Sequence, residues 1–453
     1  MLTPGVTPTT FELPRFEALL GPDRTAELHA AAAVIREALA AGTLWHVNST
    51  GNGGGVAEML HTLLPLYAEL GVRVRWMVIG GDERFFALTK RLGLGLYGID
   101  TDDGPLRAVE RDAYLDGLGS AGDRLLELVE AGDVVVLHDH QTAGLVPRLA
   151  GRGVEVYWRC HVGVDEPTEA SERAWELIAP LLDGAHRLLF SVPWHIPERF
   201  RDRPASVLPP FISPFSPKNR ELEPESVTAA LIRCGLRRAG GNGGPPVTVI
   251  AETAPGPDEK LLTQVSRWDR LKDMDGVLAA VTEFVPEGFL ALVGPDPAGI
   301  ADDIEQAMVF DRCHEAWRRL PPGRRRRVAL VCLPMTDPGE NALLVNAIQR
   351  ASQVVMQKSL AEGFGLTVTE AMWKSRPVVA AGVGGIRAQI DHGRTGLLVA
   401  DPHDLSGFGA LVTSVAGGGA DAELMGARAH DRVLRDFLPD QDVIRMARLL
   451  RAR

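Results

Sequence analysis

The chain has 453 residues, 45% of them hydrophobic, which at ~100–200 residues per domain suggests two or three units with real cores. Its net charge of -11 argues against nonspecific binding to nucleic acid, which needs a basic stripe, and leaves room for a small anion held by a few local cations. No apolar run approaches the ~18–20 residues of a membrane helix and the N-terminus lacks a basic-then-apolar leader, so a cytoplasmic protein with no membrane partner is expected. Cys160, Cys234, Cys313 and Cys332 are scattered without CxxC spacing, as reduced thiols would be.

In chain order, short β-branched runs alternate with helical patterns, the signature of βα units around a parallel sheet. "TLWHVN", "VRVRWMVI", "DVVVLHD", "VEVYWRC" and "HRLLFS" read as buried strands, with "VAEMLHTLLPLYAELG" a helix closed by a glycine. The alternation restarts with "LLTQVSR", "FLALVG", "RVALVCL", "QVVMQ", "RPVVAA" and "GLLVA". Two similar α/β domains in tandem follow. The first is expected over 1–216 and the second over 217–430, with the low-complexity stretch 237–246 a surface loop. The remaining 431–453 includes a closing helix expected to return to the first domain.

Ligands of parallel α/β sheets bind outside the carboxyl ends of the strands, so the residues after each strand carry the functional reading. After "TLWHVN" come Asn52 and the glycines Gly53, Gly54 and Gly55, which open a helix. Backbone N–H groups there can approach an anion or a sugar, although an ordinary strand-to-helix turn has the same look. After "DVVVL" comes the dense polar group His138, Asp139, His140 and Gln141, which must bind something or satisfy itself internally. After "VEVYW" come Arg159 and His161, a weaker case of the same kind. After "LLTQVS" come Arg267 and Lys272, five residues apart and suited to a diphosphate, the first as a fork and the second as a point charge. "QVVMQ" leads into Glu362, then Gly363-Phe364-Gly365, then a helix from about Leu366 that carries Glu370. One acid can take sugar hydroxyls and the other a ribose, while the glycine amides and the helix N-terminus point at phosphate.

The E-x7-E pair, the glycine-rich first loop, the Arg/Lys pair and "GGIRAQIDHGRTGLLV" resemble the retaining nucleotide-sugar glycosyltransferases of family 4. Within that family the phrases "WHVNSTGNGGGVAEMLHTLLPLYAELG", "HDHQTAGL", "WRCHVGVDEP", "SPFSPKNREL", "TQVSRWDRLKD", "DPGENALLVNAIQRAS" and "QKSLAEGFGLTVTEAMWKSRPVVA" are most similar to the trehalose glycosyltransferring synthases, across roughly residues 44 to 400. The resemblance implies the α/β GT-B fold, two Rossmann-like parallel-sheet domains facing each other across a cleft. It implies transfer of glucose from an NDP-glucose to glucose, giving α,α-trehalose. Gly53 to Gly55 would lie against donor phosphates and the reacting centre. Asp139 would hold acceptor hydroxyls, in company with Asn52, His140, Gln141 and Arg159, and His161 would contact the transferring sugar near its 6-hydroxyl. Arg267 and Lys272 would neutralise the departing diphosphate, Glu362 would hold the donor glucose and Glu370 the ribose. Gly363, Phe364, Gly365 and Leu366 would face the donor, and Asn341 and Leu343 would shape the base pocket.

The family's chemistry implies a front-face reaction, in which the leaving diphosphate oxygen takes the acceptor's proton, rather than double displacement through a carboxylate nucleophile. No cofactor is expected, the nucleotide sugar being a substrate, and Mg2+ is not structurally required, with stimulation by it left open. The oligomeric state is also left open, a homodimer included. An acidic turn at "DTDDG" reads as solvated rather than as a metal site, "GRRRR" as a solvated face, and the histidines show no paired spacing for a catalytic metal. Lys358 could suggest a pyridoxal phosphate phosphorylase, which the matching phrases do not support. Substitutions around Leu92 to Tyr97 admit a changed acceptor such as a cyclitol. The same fold would also serve a non-hydrolysing nucleotide-sugar epimerase or a catalytically silent nucleotide-sugar binder.

Overall fold

Thirteen strands form two sheets in the computed structural model, which describes residues 11–52, 54–100, 108–238, 247–256, 258–297 and 304–452. Most of the acidic turn 100–104 and of the stretch 237–246 lies outside those residues. The chain divides into two compact units, Met1–Phe211 with Phe437–Arg453, and Ile212–Asp436.

In the first unit the strands are β1 (Leu44–Asn48), β2 (Val74–Val78), β3 (Val134–His138), β4 (Glu155–Cys160), β5 (Arg187–Phe190) and β6 (Ala205–Val207). Their order is β2-β1-β3-β4-β5-β6 and every pairing is parallel. The two faces of this sheet differ in chemistry, because alternate residues of a strand point to opposite sides. Trp45 and Val47, Val135 and Leu137, and Trp158 and Cys160 share a core with Phe85, Leu92 and Tyr114. The residues between them, His46, Val136 and His138, and Arg159, take the other face. The helix Pro439–Arg451 packs against the helix Pro22–Leu39. Val443, Met446, Ala447 and Leu450 are buried there, and Arg24 Nη2 lies 2.5 Å from Asp440 Oδ2.

The second unit contains β7 (Thr248–Ile250), β8 (Leu261–Val265), β9 (Phe289–Pro295), β10 (Val328–Leu333), β11 (Val354–Gln357), β12 (Val378–Ala381) and β13 (Leu397–Val399). They run in the order β13-β12-β11-β8-β9-β10-β7, parallel except for β7, which pairs antiparallel with β10. The two strands unread in the sequence, β6 and β7, are three-residue edges with half-exposed side chains, so neither shows a buried apolar run. Among the described residues no helix is long and apolar enough to cross a membrane. Of the "GRRRR" run, Arg325 Nε lies 2.6 Å from Glu252 Oε1, and Arg327 donates to the carbonyls of Val285, Pro286 and Gly288.

Candidate active site

In each sheet the strand order reverses at one point, between β1 and β3 in the first and between β8 and β11 in the second. Crevices form at the carboxyl ends of strands at such points. Many of the expected site residues lie in the loops that leave these strands, whereas Arg159 is on β4, His161 just beyond it, and Asn341 and Leu343 are on the helix Pro338–Ala351 that follows β10.

The loop after β1 is held by side chains the sequence reading did not single out. Asn48 Nδ2 donates to Thr50 O at 2.7 Å, Trp76 Nε1 donates to Asn48 Oδ1 at 2.7 Å, and His61 Nε2 lies 3.0 Å from Gly51 O. Gly54 then adopts φ +80°, which favours glycine, and a Cβ there would meet no atom within 4 Å. Asn52 and Gly55 are exposed, Gly55 opening the helix Gly55–Glu69, and Gly53 lies outside the described residues.

The polar group after β3 satisfies itself to a large degree. Asp139 has φ +61°, accepts the His161 backbone N–H through Oδ1 at 2.7 Å, and accepts Trp158 Nε1–H through its carbonyl at 2.9 Å. Burial pushes the Asp139 carboxyl up to about 7, although the His161 N–H and Arg159 favour its charge. A carboxyl raised above its unfolded value loses stability as pH rises from about 4 to about 7. Asp139→Asn, which keeps an oxygen for the His161 N–H, is expected to gain about 2 kcal/mol over the parent between these limits, after discounting for partial exposure. Urea unfolding of both proteins at pH 4.5 and 7.5 measures it, and a pH-independent difference would count against a neutral Asp139.

Three residues expected beside the acceptor are placed differently from one another. Gln141 is half-buried in the turn after β3. His140 is buried against the helix Glu83–Leu96, its Nε2 2.8 Å from Thr89 O. Arg159 is fully buried, with Nη1 2.9 Å from Asp442 Oδ2 and Nη2 donating to the carbonyl of Leu208 at 3.1 Å. With those groups engaged in the interior, Arg159 holds the closing helix to the sheet rather than presenting a fork to a sugar, and the acceptor assignment is corrected accordingly. His161, half-buried, stacks on His138 with ring centroids 5.4 Å apart.

In the second unit the loops after β8 and β11 are laced together. Lys272 Nζ lies 2.5 Å from Glu362 Oε2, and Ser359 Oγ donates to the same oxygen at 3.2 Å. The next residue, Asp273, has φ +49° and pairs with the buried Lys358, whose backbone N–H donates to Gln264 Oε1 at 2.9 Å. Gln264 Nε2 in turn donates to Lys272 O at 2.7 Å. Arg267 is exposed beside them, Nη2 2.8 Å from Asp269 Oδ2. Lys358 is thus tied into an ion pair with a carboxylate.

Gly363-Phe364-Gly365 precedes the helix Leu366–Trp373, with Gly365 at φ +85°. The loop packs so closely on Gly384 that a Cβ there would lie 1.6 Å from Glu362 O, so this glycine is a steric condition for the acid's placement. Glu370 is buried on the helix, Lys218 Nζ 3.5 Å from its Oε1. One turn on, Lys374 Nζ donates to Glu370 O, Asn219 Oδ1 and Gln349 Oε1, and burial pulls its ammonium down to about 7. Asn341 and Leu343 are half-buried in the helix Pro338–Ala351, where Asn341 Nδ2 donates to Pro334 O at 3.0 Å. Lys218 as the partner of Glu370, Lys358 as the partner of Asp273 and Lys374 as a donor to the Glu370 carbonyl were missed because lysine carries no local pattern that reveals what it will meet.

With this geometry in place, comparison with known proteins decides the family. A family profile described as "Trehalose synthase, N-terminal domain" matches residues 46–197, and one described as "Glycosyl transferases group 1" matches 336–414. The trehalose synthase of Pyrococcus horikoshii is 32% identical over 94% of this chain and 93% of its own. The chain belongs to the trehalose synthase family. A second trehalose synthase, from Thermococcus litoralis, is 35% identical over 79% of each chain. The fold of this trehalose synthase family member is GT-B: an α,α-trehalose-phosphate synthase from Burkholderia xenovorans aligns with a TM-score of 0.69, 14% identity, and coverage of 90% of this chain and all of its own. The chain is a glycosyltransferase of trehalose metabolism.

Proposed function

We propose that the protein transfers glucose from an NDP-glucose to free glucose and forms α,α-trehalose with retention at the donor's anomeric carbon. The observation that carries this reading is the Lys272–Glu362 pair where β8 and β11 adjoin, with Arg267 beside it and a glycine-opened helix behind. A cation there can meet a leaving diphosphate while the acid takes sugar hydroxyls, and Glu370 on the helix would take the ribose. In the proposed step the bond from the anomeric carbon to the diphosphate oxygen breaks and a bond to the acceptor hydroxyl forms on the same face. The acceptor's proton goes to the departing oxygen. Catalysis then rests on positioning and charge stabilisation, with no protein nucleophile.

Carbon-13 and proton NMR of the products tests this, using purified protein with UDP-, ADP- or GDP-glucose and unlabelled glucose, beside a control without acceptor. One symmetric disaccharide with equivalent α-anomeric signals is the expected product. Acceptor-dependent nucleotide release only when a cyclitol replaces glucose would overturn the glucose assignment and keep the donor chemistry. No release with any of the three donors would overturn the donor.

A further inference from the structure

His46 on β1, His138 at the end of β3 and His161 just beyond β4 share one face of the first sheet, because His46 is in register with Val136 and His138 with Arg159. His46 Nδ1 lies 3.0 Å from His138 Nε2, and His138 Nδ1 lies 3.1 Å from His161 Nε2. The rings therefore form a line, with nitrogens facing one another in pairs. Among the described residues no group of three His, Cys, Asp or Glu side chains could hold a metal ion.

We propose that this line is a directional hydrogen-bond chain, donating from His46 through His138 to His161, which fixes His161 as the Nδ1–H tautomer and makes it a donor to an oxygen of the transferring sugar. The naming of the sugar rests on the proposed function, whereas the direction of the chain does not.

A neutral imidazole carries one N–H, and His138 has both nitrogens engaged, so it donates through one and accepts through the other. Two patterns satisfy this. In the outward one, His46 Nδ1–H and His138 Nδ1–H donate, His161 Nε2 accepts and its proton sits on Nδ1. In the inward one, His161 Nε2–H and His138 Nε2–H donate and the proton of His46 sits on Nε2. The inner end decides between them. His46 is fully buried and its Nε2 has no hydrogen-bond partner, with the Tyr67 ring stacked 6.3 Å away. A proton on that nitrogen would be an orphaned buried N–H, which is rarer in folded proteins than an under-used acceptor. Burial holds all three rings well below their ordinary range, in agreement with neutral imidazoles.

His46 and His138 are thus positioning residues, and His161, half-buried at the end of the line, is the member that meets substrate. The full chain labelled with nitrogen-15 histidine, observed by long-range proton–nitrogen correlation, tests the direction without requiring activity. The His161 resonances are assigned by their loss in His161→Asn. Expected is a protonated Nδ1 and a bare Nε2 on His161. A protonated Nε2 there overturns the proposal even if trehalose is made, whereas the expected tautomer without any product would leave the chain intact and sink the functional reading instead. His46→Leu removes the first donor, while His46→Asn keeps an N–H near the Nδ1 position. The leucine variant is expected to give mixed tautomers at His161 and about a tenfold lower kcat/KM, roughly one hydrogen bond's worth. The asparagine variant is expected to restore both. An unchanged His161 tautomer in a folded leucine variant refutes the coupling. Should that variant fail to fold, the parent and asparagine spectra still decide.

Discussion

Lys272→Ala is expected to lower turnover about a hundred- to a thousandfold, the usual cost of removing one preorganised charge from a developing anion. In the free protein its ammonium is engaged by Glu362, whose side chain is 9% exposed, so the truncation also leaves a largely buried carboxylate without its cation. Two controls separate these effects. Lys272→Arg keeps the charge but not the compact geometry, and is expected to recover part of the rate. Lys272→Ala with Glu362→Gln removes both charges, and is expected to recover stability but no rate. If the site works by stabilising the leaving group, the loss falls on kcat with nucleotide affinity changed far less, as calorimetric titration with the nucleoside diphosphate would show. Near-normal transfer by Lys272→Ala would remove this residue from the mechanism. Asp139→Ala, in the other unit, is expected to change donor affinity far less than Lys272→Ala changes turnover.

Arg159→Met is expected to cost about 3–5 kcal/mol, because it removes the ion-pair partner of the fully buried Asp442 carboxylate. The partner change Asp442→Leu should cost a similar amount, since it strands a guanidinium whose remaining bonds go to carbonyl oxygens. The double variant is the informative one. Replacing a buried pair by packed apolar groups is often neutral, so the two losses should fall well short of adding. Calorimetry should show either single change lowering the melting temperature of the first unit by about 10 °C, with most of that recovered in the double variant. Simple additivity would mean that the two side chains act separately, and that Arg159 holds the sheet through the carbonyls of Leu208 and Pro209 alone.

Much of this architecture is legible in the primary structure for a local reason. A strand buried on both faces must be apolar nearly throughout, so "DVVVLHD" or "RVALVCL" declares itself within six or seven residues. Edge strands such as Ala205–Val207 and Thr248–Ile250 bury too little to leave that trace. The loop after β11 is legible too, since its glycines, two acids and following helix lie within a dozen residues, and its glycine requirement is local backbone geometry.

The amino-acid sequence by itself determined the two α/β units, the strands of their centres, the loops that leave those strands and the family resemblance, because each is written in residues that are neighbours along the chain. Only the tertiary structure decided which charges meet. Lys272 reaches across ninety positions to Glu362, and Arg159 finds its carboxylate 283 positions away on the closing helix. His46, His138 and His161 stand far apart in sequence, with no spacing that marks them as a set. They become a line because parallel strands set side by side bring equivalent positions onto one face, and that register exists only once the sheet has formed.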